Sequence, residues 1–367
     1  MRVGILTFHW AYNYGAVLQA YALQQTLIRM GHEVNILDYR PPHLVSRIGP
    51  LGFRSGSPVH VFRMKLRFDG FRKNYLNLTR TLRTTKDLRK TVQSYDALIV
   101  GSDQVWNQNI IRGDWNYFLA FADGVRRVSY AADFGQPQQM SENRADLSNL
   151  LDRFDHIAVR TSLSKEIART LTSRDVKVVL DPTLLHDFSE TTAKVQIAEP
   201  YILVYNIWSG VNRQVLASLT RDIAAKSKVP VYCVSWSPDF PMADRQLRSI
   251  GPVEWLAYFR RAAFICTDSY HGFLFAIKNR KPFTAVCLNN RASRIVELAE
   301  RYGLRNSVVS SASDTNSRDV SAIAVDYDHV HKLIEQDAED SKAFLCGALL
   351  MRYEHRGSRF PVEELIT

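Results

Sequence analysis

The chain of 367 residues is 46% hydrophobic and 23% charged, with a formal net charge of +10. This composition excludes an intrinsically disordered protein, and at about 150 residues per domain the length predicts two domains. No window approaches the roughly 18 apolar residues of a membrane helix, and the apolar stretch in residues 1–7 is too short for a signal peptide. We therefore expect a cytoplasmic protein.

The first forty residues have the pattern of a strand, a helix and a second strand. Apolar residues 3–8 precede a polar glycine turn, helical periodicity follows over residues 16–30, and residues 33–39 form the second run. Asn13, Tyr14 and Gly15 open the helix, whose free N–H groups could bind an anion. The segment has neither a Walker ending nor a Gly-x-Gly-x-x-Gly pattern, and a plain tight turn explains it equally well.

A strongly basic segment follows an irregular stretch at residues 41–58 that is rich in Pro, Gly and Ser. Residues 47–90 contain twelve basic and two acidic residues, a balance equal to the whole net charge of +10. This predicts contact with an anionic partner, such as a phosphorylated acceptor or the inner face of the membrane; a solvated face is the alternative. No nucleic-acid-binding signature accompanies the segment, so we expect no nucleic acid partner.

Apolar runs then alternate with helix-compatible stretches along the rest of the chain. The first runs cover residues 97–100, 128–131, 157–159 and 176–180, and a second series covers residues 201–207, 231–235, 264–267 and 282–286. Such alternation predicts parallel strands with crossover helices. We predict an α/β fold with a Rossmann-like domain at residues 1–190, which contains the basic insertion at about 41–90, and a second such domain at residues 200–325. Residues 326–367 are predicted to form a helical extension.

In doubly wound domains ligands bind beyond the carboxyl ends of the strands and in the cleft between domains. Gly101, Ser102 and Asp103 follow one strand and offer backbone amides, a hydroxyl and a carboxylate suited to sugar hydroxyls or phosphate. A helix cap is the simpler interpretation of these residues. Asp181 ends another strand before Pro182, which is also typical of a rigid exit from a sheet.

The most specific strand end is at residues 267–272, where His271 follows the apolar run and precedes a short helix. Histidine titrates near neutral pH, and Asp268, three residues earlier, is a candidate to orient its ring. A purely structural histidine is the alternative.

Cysteine and histidine spacing does not predict a metal site. Cys233, Cys266, Cys287 and Cys346 form no Cys-x-x-Cys pair, and three of them lie in apolar runs. We therefore expect buried thiols, with no metal ion and no disulfide framework.

Taken together, several stretches resemble the polysaccharide pyruvyl transferase family, in the family's order. They are residues 4–8, 13–23, 101–107, 129–132, 180–185, 267–272 and 293–294. The resemblance implies two Rossmann-like domains arranged as in GT-B glycosyltransferases. It also implies transfer of an enolpyruvyl-derived unit from phosphoenolpyruvate to sugar hydroxyls, as a pyruvate ketal in cell-surface polysaccharide biosynthesis, without a further cofactor.

By this resemblance His271 matches the histidine given the acid/base role. Where many members have an arginine two positions earlier, this chain has Ser269, so the anchor for the anionic donor must lie elsewhere. A frequent Arg-Glu pair is Arg160-Thr161 here, and Asp133 replaces a common serine. Besides the catalytic pair of His271 and Asp268, we expect substrate contacts from Asn13, Tyr14, Gly15, Gly101, Ser102, Asp103, Arg160, Ser269, Gly272, Arg291 and Arg294.

Two other functions fit the same pattern. One is a GT-B glycosyltransferase that uses a nucleotide sugar, and the other is a non-catalytic protein that binds glycans or anions. For the pyruvyl transferase the acceptor sugar can be lipid-linked or nucleotide-linked.

Overall fold

The computed structural model describes residues 1–48, 57–135, 143–191, 193, 195, 200–235, 239–288, 293–311, 314 and 324–350. Over these ranges the chain forms two parallel β-sheets of six strands each, which confirms the predicted pair of Rossmann-like α/β units. The strands of the first sheet are β1 (Arg2–Leu6), β2 (Glu33–Ile36), β3 (Ala97–Val100), β4 (Arg126–Ala132), β5 (His156–Val159) and β6 (Val176–Val178). Those of the second sheet are β7 (Ile202–Asn206), β8 (Val231–Ser235), β9 (Arg245–Gln246), β10 (Phe264–Thr267), β11 (Phe283–Val286) and β12 (Val308–Val309).

The strand order places a reversal of direction near the middle of each sheet. The first sheet has the order β2-β1-β3-β4-β5-β6 and the second β12-β11-β10-β7-β8-β9. The chain therefore moves to one side of β1 and returns to its other side with β3, and it does the same around β7 with β10. Ligands of open α/β sheets bind at such reversals, beyond the carboxyl ends of the strands.

Helices connect the strands, and they pack on both faces of the sheets. Alternate residues of β3 enter different apolar clusters: Ile99 belongs to a cluster that spans both domains, and Leu98 to a cluster of the first domain. Burial on both faces is what parallel sheets require. The helices are α1 (Tyr14–Arg29), α2 (Pro42–Ile48), α3 (Pro58–Tyr75), α4 (Thr85–Val92), α5 (Gln108–Ile111), α6 (Arg144–Asp152), α7 (Ser162–Arg169), α8 (Val211–Ser227), α9 (Pro252–Arg261), α10 (Tyr270–Lys278), α11 (Ser293–Arg301) and α12 (Tyr327–Leu350).

Helix α12 joins the two domains. Near its start, His331 Nε2 lies 3.0 Å from the carbonyl oxygen of Ile277 in the second domain. Further along, Ser341 Oγ accepts a hydrogen bond of 3.0 Å from the Leu180 amide, and Arg126 of β4 donates to the carbonyl of Ala348 at 3.2 Å. The predicted C-terminal helix therefore contacts both domains, and residues 351–367 lie outside the described ranges.

The structure differs from the sequence-based expectation in the stretch at residues 41–58, which was expected to be irregular but contains helix α2 and the first residue of α3. In the basic segment, for which no elements were predicted, α3 and α4 are regular helices. Helix α3 begins at Pro58, a residue suited to a first helical turn, and buries Met64, Phe68 and Phe71 at helical spacing. Strands β9 and β12 were not predicted because two residues are too few to show a periodicity. No helix in the described part of the chain combines the length and apolarity needed to cross a membrane.

Candidate active site

The polar residues after β1 begin helix α1 and contact the second domain. Asn13 has an extended backbone, and its Oδ1 accepts a hydrogen bond of 3.2 Å from the Ala16 amide, as an N-cap does. The cap places Tyr14 inside the first helical turn, two residues earlier than predicted. The Tyr14 ring stacks on Trp255 of α9 with ring centres 5.5 Å apart, and its hydroxyl donates to the Ile250 carbonyl at 2.9 Å. The start of α1 is therefore fixed against the second domain.

Ser269 caps helix α10 in the same way. Its Oγ accepts a hydrogen bond of 3.3 Å from the Gly272 amide, so the helix begins at Tyr270. His271 consequently lies in the first turn of the helix and not ahead of it. Gly272 packs closely on the end of β10, since a methyl group on it would lie 2.2 Å from Thr267 Oγ1. At the position where many family members have an arginine, this chain therefore has a helix cap.

The first turns of α1 and α10 meet face to face across the two domains. A Cβ atom on Gly15 would lie 2.0 Å from His271 Nδ1, so the backbone of α1 rests directly against the imidazole ring. Both helix N-termini carry partial positive charge and free N–H groups. Their approach makes this part of the cleft favourable for an anion.

The other ring nitrogen of His271 is directed at a buried aspartate. Nε2 is buried, lies 3.5 Å from Asp181 Oδ2, and makes no hydrogen bond. Asp181 is held in place by Thr183, whose amide and hydroxyl donate to Oδ1 at 3.0 and 2.8 Å, and by Ser102 Oγ, which donates to Oδ2 at 3.3 Å. Burial acts to raise the pKa of Asp181, but His271 and Arg160 outweigh it and hold the pKa well below its usual range. Asp181 is therefore an ionised partner for the imidazole.

Arg160 lies at the centre of a buried group of charges. Its guanidinium is 3.4 Å from Asp103, 2.8 Å from Asp133 and 3.1 Å from Asp181, and the side chain is fully buried. The guanidinium carbon also lies 4.8 Å from the ring centre of Tyr270. With three carboxylates around it, Arg160 is an internal counter-ion. A donor would need an exposed arginine as its anchor, so Arg160 does not serve as the expected substrate contact.

Arg294 extends this group of charges across the cleft. Its Nη1 lies 3.3 Å from Asp133 Oδ2, and its side chain is 16% exposed. Burial acts to raise the pKa of Asp133, but the charges of Arg160 and Arg294 outweigh it and lower that pKa. With His271 neutral, the three aspartates and two arginines carry a net charge of −1, so protonation of His271 would make the group neutral. Arg291, which is also expected to contact the substrate, lies outside the described residues.

Asp268 does not contact His271, contrary to the expected pairing. Its carboxylate accepts hydrogen bonds from the amides of Ile207 and Trp208 at 2.7 and 3.1 Å, and from Asn206 Nδ2 at 2.6 Å. The reason is that Thr267 of β10 pairs with Tyr205 of β7, which places Asp268 beside the loop that leaves β7. Burial raises the pKa of Asp268 to about 6 in spite of these three hydrogen bonds. Asp181 occupies the position next to the imidazole instead.

A cavity of about 220 Å³ opens between the domains, at the points where the strand order reverses. Six of the predicted site residues line it: Asn13, Asp103, Asp268, Ser269, His271 and Arg294. The remaining wall consists of Phe8, Gln104, Ile110, Ile207, Trp208, Asn212, Tyr270, Cys287 and Ile295.

Other predicted residues lie behind this wall. Gly101 has a φ of +120°, and a methyl group on it would lie 2.1 Å from the Tyr130 carbonyl oxygen, so only glycine fits there. Ser102 is buried and supports Asp181. Tyr14, Gly15, Arg160 and Gly272 likewise hold the walls in position.

Sequence reasoning missed the contribution of the loop after β7. Asn206 ends β7 and Trp208 follows it, much as Asp103 follows β3, so the same reasoning from strand ends would have found them. Asp133 and Asp181 are apparent in the sequence, but His271 and Arg294, which approach them, come from distant segments. Among the described residues, no group of three or more His, Cys, Asp and Glu side chains is placed to bind a metal ion.

Comparison with solved structures establishes the fold. UDP-GlcNAc 2-epimerase from Neisseria meningitidis, bound to UDP-GlcNAc, matches with a TM-score of 0.51 and 10% identity over 95% of this chain and 100% of its own. Arabidopsis thaliana UGT89C1, complexed with quercetin, matches with a TM-score of 0.50 and 10% identity over 95% and 99%. At this identity the likeness concerns the fold alone, and it confirms the predicted GT-B-like arrangement.

Comparison with sequences gives the family. No curated protein matches the chain. The family model described as polysaccharide pyruvyl transferase matches residues 13–289, which include both capped helix starts and Arg160 with its three aspartates. The chain therefore belongs to the polysaccharide pyruvyl transferase family.

Proposed function

We propose that this enzyme transfers the enolpyruvyl-derived unit of phosphoenolpyruvate to two hydroxyls of a sugar, forming a pyruvate ketal during cell-surface polysaccharide synthesis. Family membership supports the class of reaction. One observation carries the proposal further: an imidazole lies at the wall of the inter-domain cavity, with an ionised aspartate beside Nε2 and two helix N-termini around it. Ketal formation begins with transfer of a proton to a carbon atom that lies next to a dianionic group. The imidazole with its aspartate suits the proton transfer, and the two helix N-termini suit binding of the dianion.

The proposed reaction conserves atoms and charge in four steps. A proton adds to the methylene carbon of phosphoenolpyruvate, which becomes a methyl group while C2 acquires oxocarbenium character. One sugar hydroxyl forms a bond to C2 and loses its proton. The bond from C2 to the phosphate oxygen then breaks and inorganic phosphate leaves. The second hydroxyl attacks C2, loses its proton and closes the ketal ring. Of the two protons that the hydroxyls release, one replaces the proton given to the methylene carbon and the other is taken up by the departing phosphate, so neither an oxidant nor a cofactor is required.

His271 is the proposed general acid. Because Nε2 is directed at Asp181, Nδ1 is the nitrogen that remains to deliver the proton. The ionised carboxylate stabilises the imidazolium form, as an orienting carboxylate does in other acid/base pairs. Proton transfer by a positioned side chain contributes about 10²–10⁴-fold to a rate. Asp268, in this proposal, acts on catalysis indirectly, by positioning the loop of Ile207 and Trp208.

The donor's negative charges require positive partners within reach of the cavity. Arg294 is the arginine that lines the cavity in the described part of the chain, and it has one ion pair, with Asp133. Together with the N-termini of α1 and α10 it would hold the phosphate and carboxylate of the donor. Asp103 and the indole of Trp208 would face the acceptor, with the carboxylate accepting from sugar hydroxyls.

A nucleotide-sugar glycosyltransferase is the second candidate, because a structural neighbour is bound to UDP-GlcNAc. The volume of the cavity favours the smaller donor. At about 220 Å³ it is below the roughly 300–1,000 Å³ typical of sites for drug-sized ligands. In the proposed reaction a nucleotide or lipid carrier is attached to the acceptor and not to the donor. Only the sugar of that acceptor has to enter the cavity.

The test incubates the purified protein with phosphoenolpyruvate and a panel of lipid-linked and nucleotide-linked sugars. We expect acceptor-dependent release of phosphate, and a product with the mass of the acceptor plus one pyruvate ketal. The His271→Asn protein is the control for contaminating phosphatase. Release of UDP or GDP from a nucleotide sugar, without consumption of phosphoenolpyruvate, would establish the glycosyltransferase instead. Binding of a glycan without turnover of either donor would show instead that the chain is a non-catalytic glycan-binding protein.

A further inference from the structure

Helix α3 has an apolar stripe that faces solvent. Val59, Phe62 and Leu66 are 55%, 60% and 54% exposed, and their spacing of three and four residues places them on one face of the helix. The opposite face is buried through Met64, Phe68 and Phe71. Single exposed apolar residues are ordinary on a protein surface, but three aligned on one helix form a continuous patch that marks an interaction site.

Basic side chains adjoin this stripe. Arg63 lies four residues after Val59 and three before Leu66, and Lys73 lies seven residues after Leu66, so both share the exposed face. Neither makes an ion pair with any described residue. The other two exposed cations of the helix are paired, Lys65 with Asp69 at 2.8 Å and Arg67 with Glu254 at 3.1 Å. The face therefore presents apolar side chains together with two cations that have no counter-ion in the described protein.

The helix is a rigid platform for these side chains. Arg72 is buried and donates hydrogen bonds to the carbonyls of His9, Trp10 and Ala11, at 3.0, 2.7 and 2.9 Å. At the other end of the helix Ser249 of the second domain donates to the His60 carbonyl at 2.9 Å. These contacts fix α3 to both domains, so the exposed stripe is a stable feature of the folded chain.

We propose that this face of α3 docks on an anionic lipid bilayer. Val59, Phe62 and Leu66 would enter the boundary between headgroups and acyl chains, and Arg63 and Lys73 would contact lipid phosphates. Charge complementarity favours this occupant, because Arg63 and Lys73 beside the stripe have no counter-ion among the described residues, and residues 47–90 contain twelve basic and two acidic residues. A second copy of the chain on the same face would bring Arg63 and Lys73 against their own equivalents, which disfavours a symmetric dimer. The inference does not depend on the proposed pyruvyl transfer.

The test measures co-sedimentation of the full-length protein with phosphatidylglycerol vesicles and with phosphatidylcholine vesicles, at low and high salt. We expect binding to the anionic vesicles alone, falling steeply as salt increases. Replacing both Phe62→Ser and Leu66→Ser should weaken the partition coefficient by at least about tenfold, since two apolar side chains no longer enter the bilayer. Replacing both Arg63→Gln and Lys73→Gln should weaken it by about tenfold or more at low salt.

The matched control is the double variant Val178→Ser with Val211→Ser, which removes exposed apolar side chains located elsewhere. It should bind vesicles as the unaltered protein does. Wild-type binding by the Phe62/Leu66 variant, or equal binding of the unaltered protein to both lipids, would overturn the proposal. A dimer in light scattering that this variant abolishes would assign the face to a second copy, and capture of an acidic protein without vesicle binding would assign it to that partner. Turnover of a water-soluble acceptor should be the same in all these proteins, which separates failure of docking from failure of the proposed function.

Discussion

Gly15 and His271 are in such close contact that no side chain fits between them. A Cβ atom at residue 15 would lie 2.0 Å from the imidazole Nδ1, a separation that real atoms do not adopt. The glycine is part of the first domain and the histidine part of the second, so this contact sets how closely the two domains approach at the candidate active site.

Gly15→Ala should therefore reduce activity without unfolding the protein. Gly15 lies in a helix, where alanine is favoured over glycine by about 0.5–1 kcal/mol, but the methyl group must displace the imidazole. We expect kcat to fall by about 10² or more, while the thermal midpoint changes by only a few degrees. Gly347→Ala is the control, because that helical glycine has open space around its α-carbon. Wild-type kcat in a folded Gly15→Ala protein would mean that the ring position does not matter to the reaction.

His271→Asn should lower kcat by about 10² or more, while the protein still folds and binds phosphoenolpyruvate. Donor binding is measured by calorimetry, and folding by the thermal midpoint. If stability falls together with activity, His271 holds the loop and is not the acid.

Asp181→Asn should destabilise the protein in a pH-dependent manner. The pKa of Asp181 in the folded protein lies below its value in the unfolded chain, so its contribution to stability is complete above about pH 4 and is lost as pH falls further. The difference in free energy of unfolding between the two proteins should thus be constant from pH 6 to about pH 5 and should shrink below about pH 4. Asp222→Asn, at an exposed position on α8, is the control and should show no such convergence. A difference that is independent of pH would show that Asp181 acts through packing alone.

Arg294 and Arg160 should respond differently to substitution. Arg294→Ala removes the arginine that lines the cavity, and one charge-assisted contact is worth about 1.5–3 kcal/mol, so KM for phosphoenolpyruvate should rise about 10-fold to 150-fold. Arg160→Gln leaves three carboxylates without their shared partner, and two of them, Asp133 and Asp181, are buried, so its main effect should be a large loss of stability. Steady-state kinetics and chemical denaturation separate the two effects. An unchanged KM in Arg294→Ala would mean that another residue binds the negative charge of the donor.

Much of the fold follows from local sequence patterns. The runs at residues 97–100 and 264–267 are apolar at every position because both faces of a parallel sheet are buried, and the structure places strands there. His271 was singled out because it follows such a run, and that reasoning led to a residue in the cavity wall. Local rules succeed here because a strand end is a local feature.

The partners of these residues could not be predicted in the same way. Asp181 and His271 are 90 positions apart, and they meet only because α1, the segment after β6 and α10 converge between the domains. Asp268 was chosen as the partner because it is near in sequence, but the pairing of β10 with β7 directs it elsewhere. The exposed stripe of α3 could not be predicted for a related reason. Apolar residues lie on two faces of this helix, and the sequence alone does not show which face packs on the protein.

The ion pair between Asp133 and Arg294 couples two properties of the enzyme that are usually considered separately. Asp133 belongs to the first domain and Arg294 to the second, and Arg294 also lines the cavity. An anion that takes Arg294 as its partner must compete with Asp133. Thermodynamic reciprocity then requires that any change which strengthens the bridge weakens the anion's affinity by the same factor, and that an anion bound to Arg294 loosens the bridge. For a donor that binds Arg294 as proposed, its affinity and the strength of this bridge between the domains are one equilibrium measured at two places.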